Sequence, residues 1–230
     1  MNTPAMKHIL IRNGLLINEG KKTGADVLIS GDRIERICPP GECPAGSDAE
    51  IIDATGLWVL PGVIDDHVHF REPGLTHKGD IASESAAAAA GGVTSFMEMP
   101  NTRPPTVSLA EWENKNTLAA GKSVVNYSFY LGATDSNISE LLAADPRTVP
   151  AIKLFLGAST GNMLVSDEEA LDAIFRIGNI PVACHCEDEH MIRSNSAAYH
   201  EEYGDEIDPS YHPLIRSREA CYASSSAAVA

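Results

Sequence analysis

Short aliphatic runs punctuated by turn formers fill the first quarter of the chain. Ile9–Ile11, Leu15–Ile17, Val27–Ile29, Ile34–Ile37 and Leu57–Leu60 are separated by Arg12-Asn13-Gly14, Ser30-Gly31-Asp32 and Pro39-Pro40-Gly41. Runs this close together predict a small antiparallel sheet, because Gly, Asn, Asp and Pro supply the backbone angles that tight turns require. Residues 1–60 are therefore expected to form a small β-sandwich-like domain.

From Pro61 the rhythm changes. Apolar runs suited to buried strands (Val63–Phe70, Val93–Met97, Val124–Leu131, Ala151–Leu156, Ile180–His185) alternate with helix-length segments (Asp80–Ala90, Leu109–Ala120, Ile138–Ala144, Asp167–Ile177). That alternation predicts parallel strands covered by helices, an α/β domain of five βα units over residues 61–230. Five units suit either a complete doubly wound sheet or part of a closed eight-stranded barrel, which typically needs ~250 residues by itself. Periodicity does not choose between them; the pattern still reads as helix at Ala230, with no Gly or Pro stop, so the chain is expected to be cut there.

Composition narrows the class. An apolar share of 43% is too high for a disordered chain, and no apolar run approaches the ~20 residues of a membrane-spanning helix. Neither a membrane nor, at a formal charge of −15, a phosphate backbone is an expected partner. The N-terminus lacks the charged-then-apolar pattern of a secretory signal, which predicts a cytoplasmic protein. Five cysteines (Cys38, Cys43, Cys184, Cys186, Cys221) are sparse and odd in number, and read as reduced thiols.

The densest chemical signal is Asp65-Asp-His-Val-His-Phe-Arg-Glu-Pro-Gly74. Alternation along a strand puts Asp65, His67, His69 and Arg71 on one face and Asp66, Val68 and Phe70 on the other. Two imidazoles on one face at the carboxyl end of a buried strand suit a divalent metal ion better than they suit a pair of core histidines. His185 ends the fifth strand between Cys184 and Cys186. Alternation sends both sulfurs toward the covering helices, so they read as packing, while Glu187 shares the face of His185 as a supporting carboxylate or a solvated loop charge. Lys153 interrupts the apolar run Ile152–Leu156; relief from burial comes either from a carboxylate partner or from deprotonation and carboxylation to a metal-bridging carbamate. Gly157–Asn162 is suited equally to a lid and to a plain βα turn.

Pro61–Gly74, Glu98-Met-Pro-Asn-Thr-Arg-Pro104, Ile152–Leu156 and Cys184–Glu187, in that order, resemble the cyclic amidohydrolases and, among them, the dihydroorotases. Asp66 departs from the pattern, where a small or apolar residue is commoner. The resemblance implies a distorted (β/α)8 barrel of the TIM type, about five of its eight units present here, beside a small sandwich built from both chain ends. It implies two zinc ions, held by His67 and His69 and by His185, bridged by carboxylated Lys153, and activating water. It also implies that Arg71 and Asn101 hold the carboxylate of dihydroorotate or N-carbamoyl-aspartate, a small anionic substrate of pyrimidine biosynthesis; a homo-oligomer is compatible. A general acid-base Asp and a further His ligand are expected after residue 230, so the 230-residue piece alone is expected to be inactive. The alternatives are an allantoinase or other cyclic amidohydrolase, and a non-catalytic subunit that scaffolds a partner enzyme.

Overall fold

The structure, a computed structural model, describes residues 7–44, 46, 48–157 and 163–230. It divides into two compact units, the first ending at Gly62 and the second running Val63–Ala230.

The first unit is one five-stranded sheet. Strand β1 (His8–Asn18) pairs antiparallel with β2 (Lys21–Ser30), which pairs antiparallel with β3 (Arg33–Cys38). Strands β4 (Glu50–Asp53) and β5 (Trp58–Val59) both lie parallel to β1. The expectation of a purely antiparallel sheet is thereby corrected: the long connection after β3 carries the chain to the far side of β1, and β4 enters in the same direction. Arg12-Asn13-Gly14 is likewise a bulge inside β1 and not a turn, with a register shift between Ile11 and Gly14. Asn13 sits there at φ 60, a left-handed angle that Asn tolerates. The buried Asp26 carboxylate holds it, accepting from Asn13 N at 2.9 Å and from Gly41 N at 2.9 Å. Cys38 and Cys43 are joined in a disulfide, their Cα atoms 5.3 Å apart in a cluster with Leu10 and Leu28. This corrects the reading of five free thiols; the turn after β3 brings two of them together, which spacing alone does not reveal.

In the second unit, β6 (Val63–Val68), α1 (Ile81–Ala90), β7 (Val93–Glu98), α2 (Leu109–Ala120), β8 (Asn126–Phe129), β9 (Leu131–Gly132), α3 (Ile138–Ala143), β10 (Ile152–Phe155), α4 (Glu168–Phe175), β11 (Val182–His185) and α5 (Glu189–Tyr203) follow in turn. A 3-10 turn (Pro209–Tyr211), α6 (His212–Ile215) and α7 (Arg218–Val229) complete it. The strands form two parallel trios, β6-β7-β8 and β9-β10-β11. One continuous segment joins them: Tyr130 N still donates to Glu98 O of β7, whereas Leu131 N donates to Ala151 O beside β10. Spatial order thus follows chain order without the reversal that marks a doubly wound sheet.

Local sequence sets the helix starts. Asp80, Ser108, Asp167, Asp188 and Ser217 each accept a hydrogen bond from the backbone N–H three residues on, satisfying a donor that has no partner within the helix. Helices and strands share two apolar clusters, one centred on Phe70, Ile81, Phe96 and Phe129, the other on Leu131, Leu141, Ile152 and Leu154. The opposite face of the strands carries Met97, Met99, Tyr130, Ala151 and Ala183.

Candidate active site

Every site residue singled out in the sequence lies on a parallel strand or just beyond its carboxyl end, where βα loops can converge on a ligand. His67 lies on β6 and His69 just after it, their ring centroids 5.4 Å apart. Burial holds both imidazoles below their ordinary pKa, and His69 is lowered to about 4 with Arg71, His67 and Lys153 adding to the effect. Neutral imidazole is the metal-binding form.

Lys153, on β10, is 3% exposed, and no carboxylate among the described residues is within ion-pair distance of it. Its Nζ stands 5.1 Å from the centre of the Phe155 ring, which in turn lies 6.0 Å from the ring of His185. Burial lowers its pKa, opposed only by the Cys184 and Cys186 thiols. The ion-pair relief considered for this lysine is therefore not realised. Cys184 packs against the helix-side core, and burial raises both thiols, as suits packing groups more than metal-binding thiolates.

His185 ends β11, and its Nε2 lies 2.7 Å from Glu187 Oε2. Arg216, just past α6, donates from Nε to Glu187 Oε1 at 2.9 Å and from Nη2 to Oε2. Burial pushes the Glu187 carboxyl up, but the bonds from Arg216 and His185 outweigh it and the net shift is downward. Gly157 is required beside this group, since a Cβ there would run into the Glu187 backbone and side chain. The rest of the segment considered as a lid, residues 158–162, lies outside the described residues.

Arg71 and Asn101 flank the histidine pair. Arg71 is close enough to depress the pKa of His69, and the Asn101 amide beside that ring opposes the depression. Asn101 is 6% exposed, and its Oδ1 is buried without a hydrogen-bond partner. Loop 71–75 is tied down on every side: Leu75 N donates to Arg71 O, Arg103 N to Pro73 O, and Ile81 N to the buried Glu72 carboxylate, which also pairs with Lys122. Gly74, at φ 81, passes so close to the Arg103 carbonyl that no side chain fits.

His67 is thus within electrostatic reach of His69, Lys153 and His185, although no group of three or more His, Cys, Asp or Glu side chains among the described residues converges on one metal position. The donors fit a divalent cation in kind: the imidazoles of His67 and His69, which burial keeps neutral, the imidazole of His185 at a second strand end, and a lysine that burial drives toward its neutral form. Sequence reasoning missed Arg216, Glu98 and Lys115. The lone signal for the last two was a charged residue at a helix-facing position.

Residues 56–205 match the family model described as dihydro-orotase-like. The dihydroorotase of Methanothermobacter thermautotrophicus is 33% identical over 92% of this chain and 44% of its own length, and the allantoinase of Solibacter usitatus 38% identical over 81% and 41%. Among solved structures, the L-hydantoinase (dihydropyrimidinase) of Arthrobacter aurescens superposes with a TM-score of 0.85 at 26% identity, covering 94% of this chain and 48% of that one. The chain spans less than half the length of these relatives, and over that span it belongs to the dihydro-orotase-like family of proteins.

Proposed function

We propose that the protein is a metal-dependent cyclic amidohydrolase acting as a dihydroorotase, which opens the cyclic amide of dihydroorotate to N-carbamoyl-aspartate and closes it again. The observation that carries this reading is Arg71 beside His69, with the buried Asn101 amide next to the same ring offering its Nδ2 as a second donor. A guanidinium and a carboxamide at the rim of a histidine pair match an anionic ring bearing a carboxylate. On this reading strands β6–β11, with β8 and β9 as one continuous segment, are an arc of a closed (β/α)8 barrel, and residues 1–60 belong to a small sandwich domain.

His67 and His69 would hold one zinc ion and His185 another, with carboxylated Lys153 between them. When bound, zinc polarises the ring carbonyl and lowers the pKa of water. The chain's own residues orient and hold. Arg71 and Asn101 fix the substrate carboxylate, so the amide to be broken faces the histidines. Glu187, gripped by Arg216, fixes the ring of His185. Lys153, with no counter-ion among the described residues and with burial favouring its neutral amine, is suited to carboxylation. The small anionic substrate is drawn in locally by Arg71 despite the net charge of the chain.

An allantoinase is the second reading, favoured by the 38% identity to a protein of that name. Arg71 argues against it, since an uncharged ring gives that cation no partner. The test is ring opening of dihydroorotate and of allantoin by the metal-replete complete gene product, with metal counted in parallel. Two metal equivalents and turnover of dihydroorotate support the proposal. Turnover of allantoin alone overturns the substrate, and a folded protein that takes up no metal and opens neither ring favours the scaffold subunit.

A further inference from the structure

Arg71 is the site residue with the least ordinary backbone. Its φ is 71, in the left-handed region that a residue with a Cβ enters at a cost, so something in the surroundings must hold it there. Its N–H points to Glu98 Oε1 at 2.9 Å. Glu98 lies at the end of β7 on the helix side of the sheet, and no part of it reaches solvent. A carboxylate there needs a cation, and Lys115, reaching inward from α2 and equally buried, places its Nζ 2.8 Å from Glu98 Oε2. That ammonium is itself held from two further sides, by Met99 O at 3.3 Å and by the face of the Phe129 ring at 4.8 Å.

The arrangement has a direction. The two Glu98 oxygens are divided, Oε2 facing the lysine and Oε1 aimed at the Arg71 amide, with the backbone N–H of neighbouring Phe70 also turned toward the carboxylate. A buried ion pair is weak evidence for stability, because an apolar pair of similar volume is often as good or better. Fixing the geometry of a neighbour is therefore a more economical account of this one.

We propose that the buried Glu98–Lys115 pair is a positioning device that holds the backbone of Arg71 in its left-handed conformation and thereby aims the guanidinium at the substrate carboxylate. The inference deepens the proposed substrate role of Arg71 and rests on it for its functional half. Without the Oε1 acceptor, the half-buried N–H would lose its partner and the loop would be free to relax to a negative φ, turning the side chain away from His69.

Three proteins test this in the metal-replete complete gene product: the parent, Glu98→Gln/Lys115→Met, and Glu98→Leu/Lys115→Met. Both double variants are neutral at the buried position, but only Gln keeps an oxygen for the Arg71 amide. Two quantities are read, amide exchange on the peptide spanning residues 69–75 and binding of orotate as a planar carboxylate probe. The Gln variant is expected to match the parent in both. The Leu variant is expected to exchange faster in that peptide and to bind orotate at least tenfold more weakly with an unchanged metal content. Should the Leu variant not fold, Glu98→Asn/Lys115→Met, one methylene too short to reach, takes its place with the same expectation. Parent-like binding and exchange in the Leu or Asn variant overturn the proposal, as does equal loss in the Gln variant. A parent that binds no orotate overturns the substrate reading instead, and the exchange comparison still decides whether Glu98 holds the loop.

Discussion

Glu187 and Arg216 are paired through both carboxylate oxygens, although 29 residues separate them in sequence, and the same carboxylate meets His185 Nε2 at 2.7 Å. A carboxylate on one ring nitrogen fixes the tautomer and orientation of the imidazole and leaves the other nitrogen to a metal ion. Arg216 thus acts on His185 through Glu187 without touching the ring.

Replacing Arg216 by Met is expected to weaken metal binding at the His185 side by roughly 10- to 100-fold, the usual consequence of removing a group that supports a metal ligand. Competition with a chelating dye measures it. Glu187→Gln should behave alike, and metal affinity unchanged in both would remove Glu187 from the centre.

Arg71→Met is expected to raise the KM for dihydroorotate. A hydrogen bond to a charged group contributes about 1.5–3 kcal/mol, equivalent to about 10- to 100-fold in kcat/KM. With hydantoin, an uncharged ring, parent and variant should give the same rate. Equal losses on both substrates would show that Arg71 supports the fold and not recognition.

Lys115→Met alone leaves Glu98 buried without its cation, at an expected cost of about 3–5 kcal/mol, or a fall in Tm of about 6–20 °C. Burial already raises the Glu98 carboxyl and lowers the Lys115 ammonium, each opposed by the partner. In the variant the carboxyl rises further. A raised carboxyl imposes no penalty below the unfolded value near 4.5, and its penalty grows as pH climbs from there to the folded value. The deficit of the variant should therefore shrink on acidification toward that limit, and thermal melts across pH compare the two proteins. A deficit that widened toward acid would contradict it.

The disulfide assigns the thiols. Alkylation of the unfolded chain without reductant should label Cys184, Cys186 and Cys221, and with reductant Cys38 and Cys43 as well. Because the loop between the paired cysteines is short, opening it is expected to cost only about 2 kcal/mol on the chain-entropy account. Labelling of all five before reduction would show that the bond does not form.

Much of the second unit was legible because its signals are local. Each strand from Val63 to His185 falls within a segment rich in apolar residues, and helix starts such as Asp80 and Ser108 stand directly before helix-forming segments. The alternation of Asp65-Asp-His-Val-His69 correctly put His67 beside His69. Partners that depend on tertiary approach were not legible. Nothing near Lys115 in sequence points to Glu98, 17 positions back, and nothing near Arg216 points to Glu187. The Arg12-Asn13-Gly14 bulge was misjudged because Asn and Gly serve a turn and a bulge through the same left-handed angle. The direction of β4 was missed because composition does not encode the path of a connection.

The changeover at Tyr130 divides the chemistry as well as the hydrogen bonds. His67 belongs to the β6-β7-β8 trio, while Lys153 and His185 belong to β9-β10-β11, and one stretch of main chain is common to both. An ion held from both sides would act as a clasp across that seam. Metal occupancy and the docking of the two half-sheets then become a single linked equilibrium, in which cation activity sets how firmly the seam is shut.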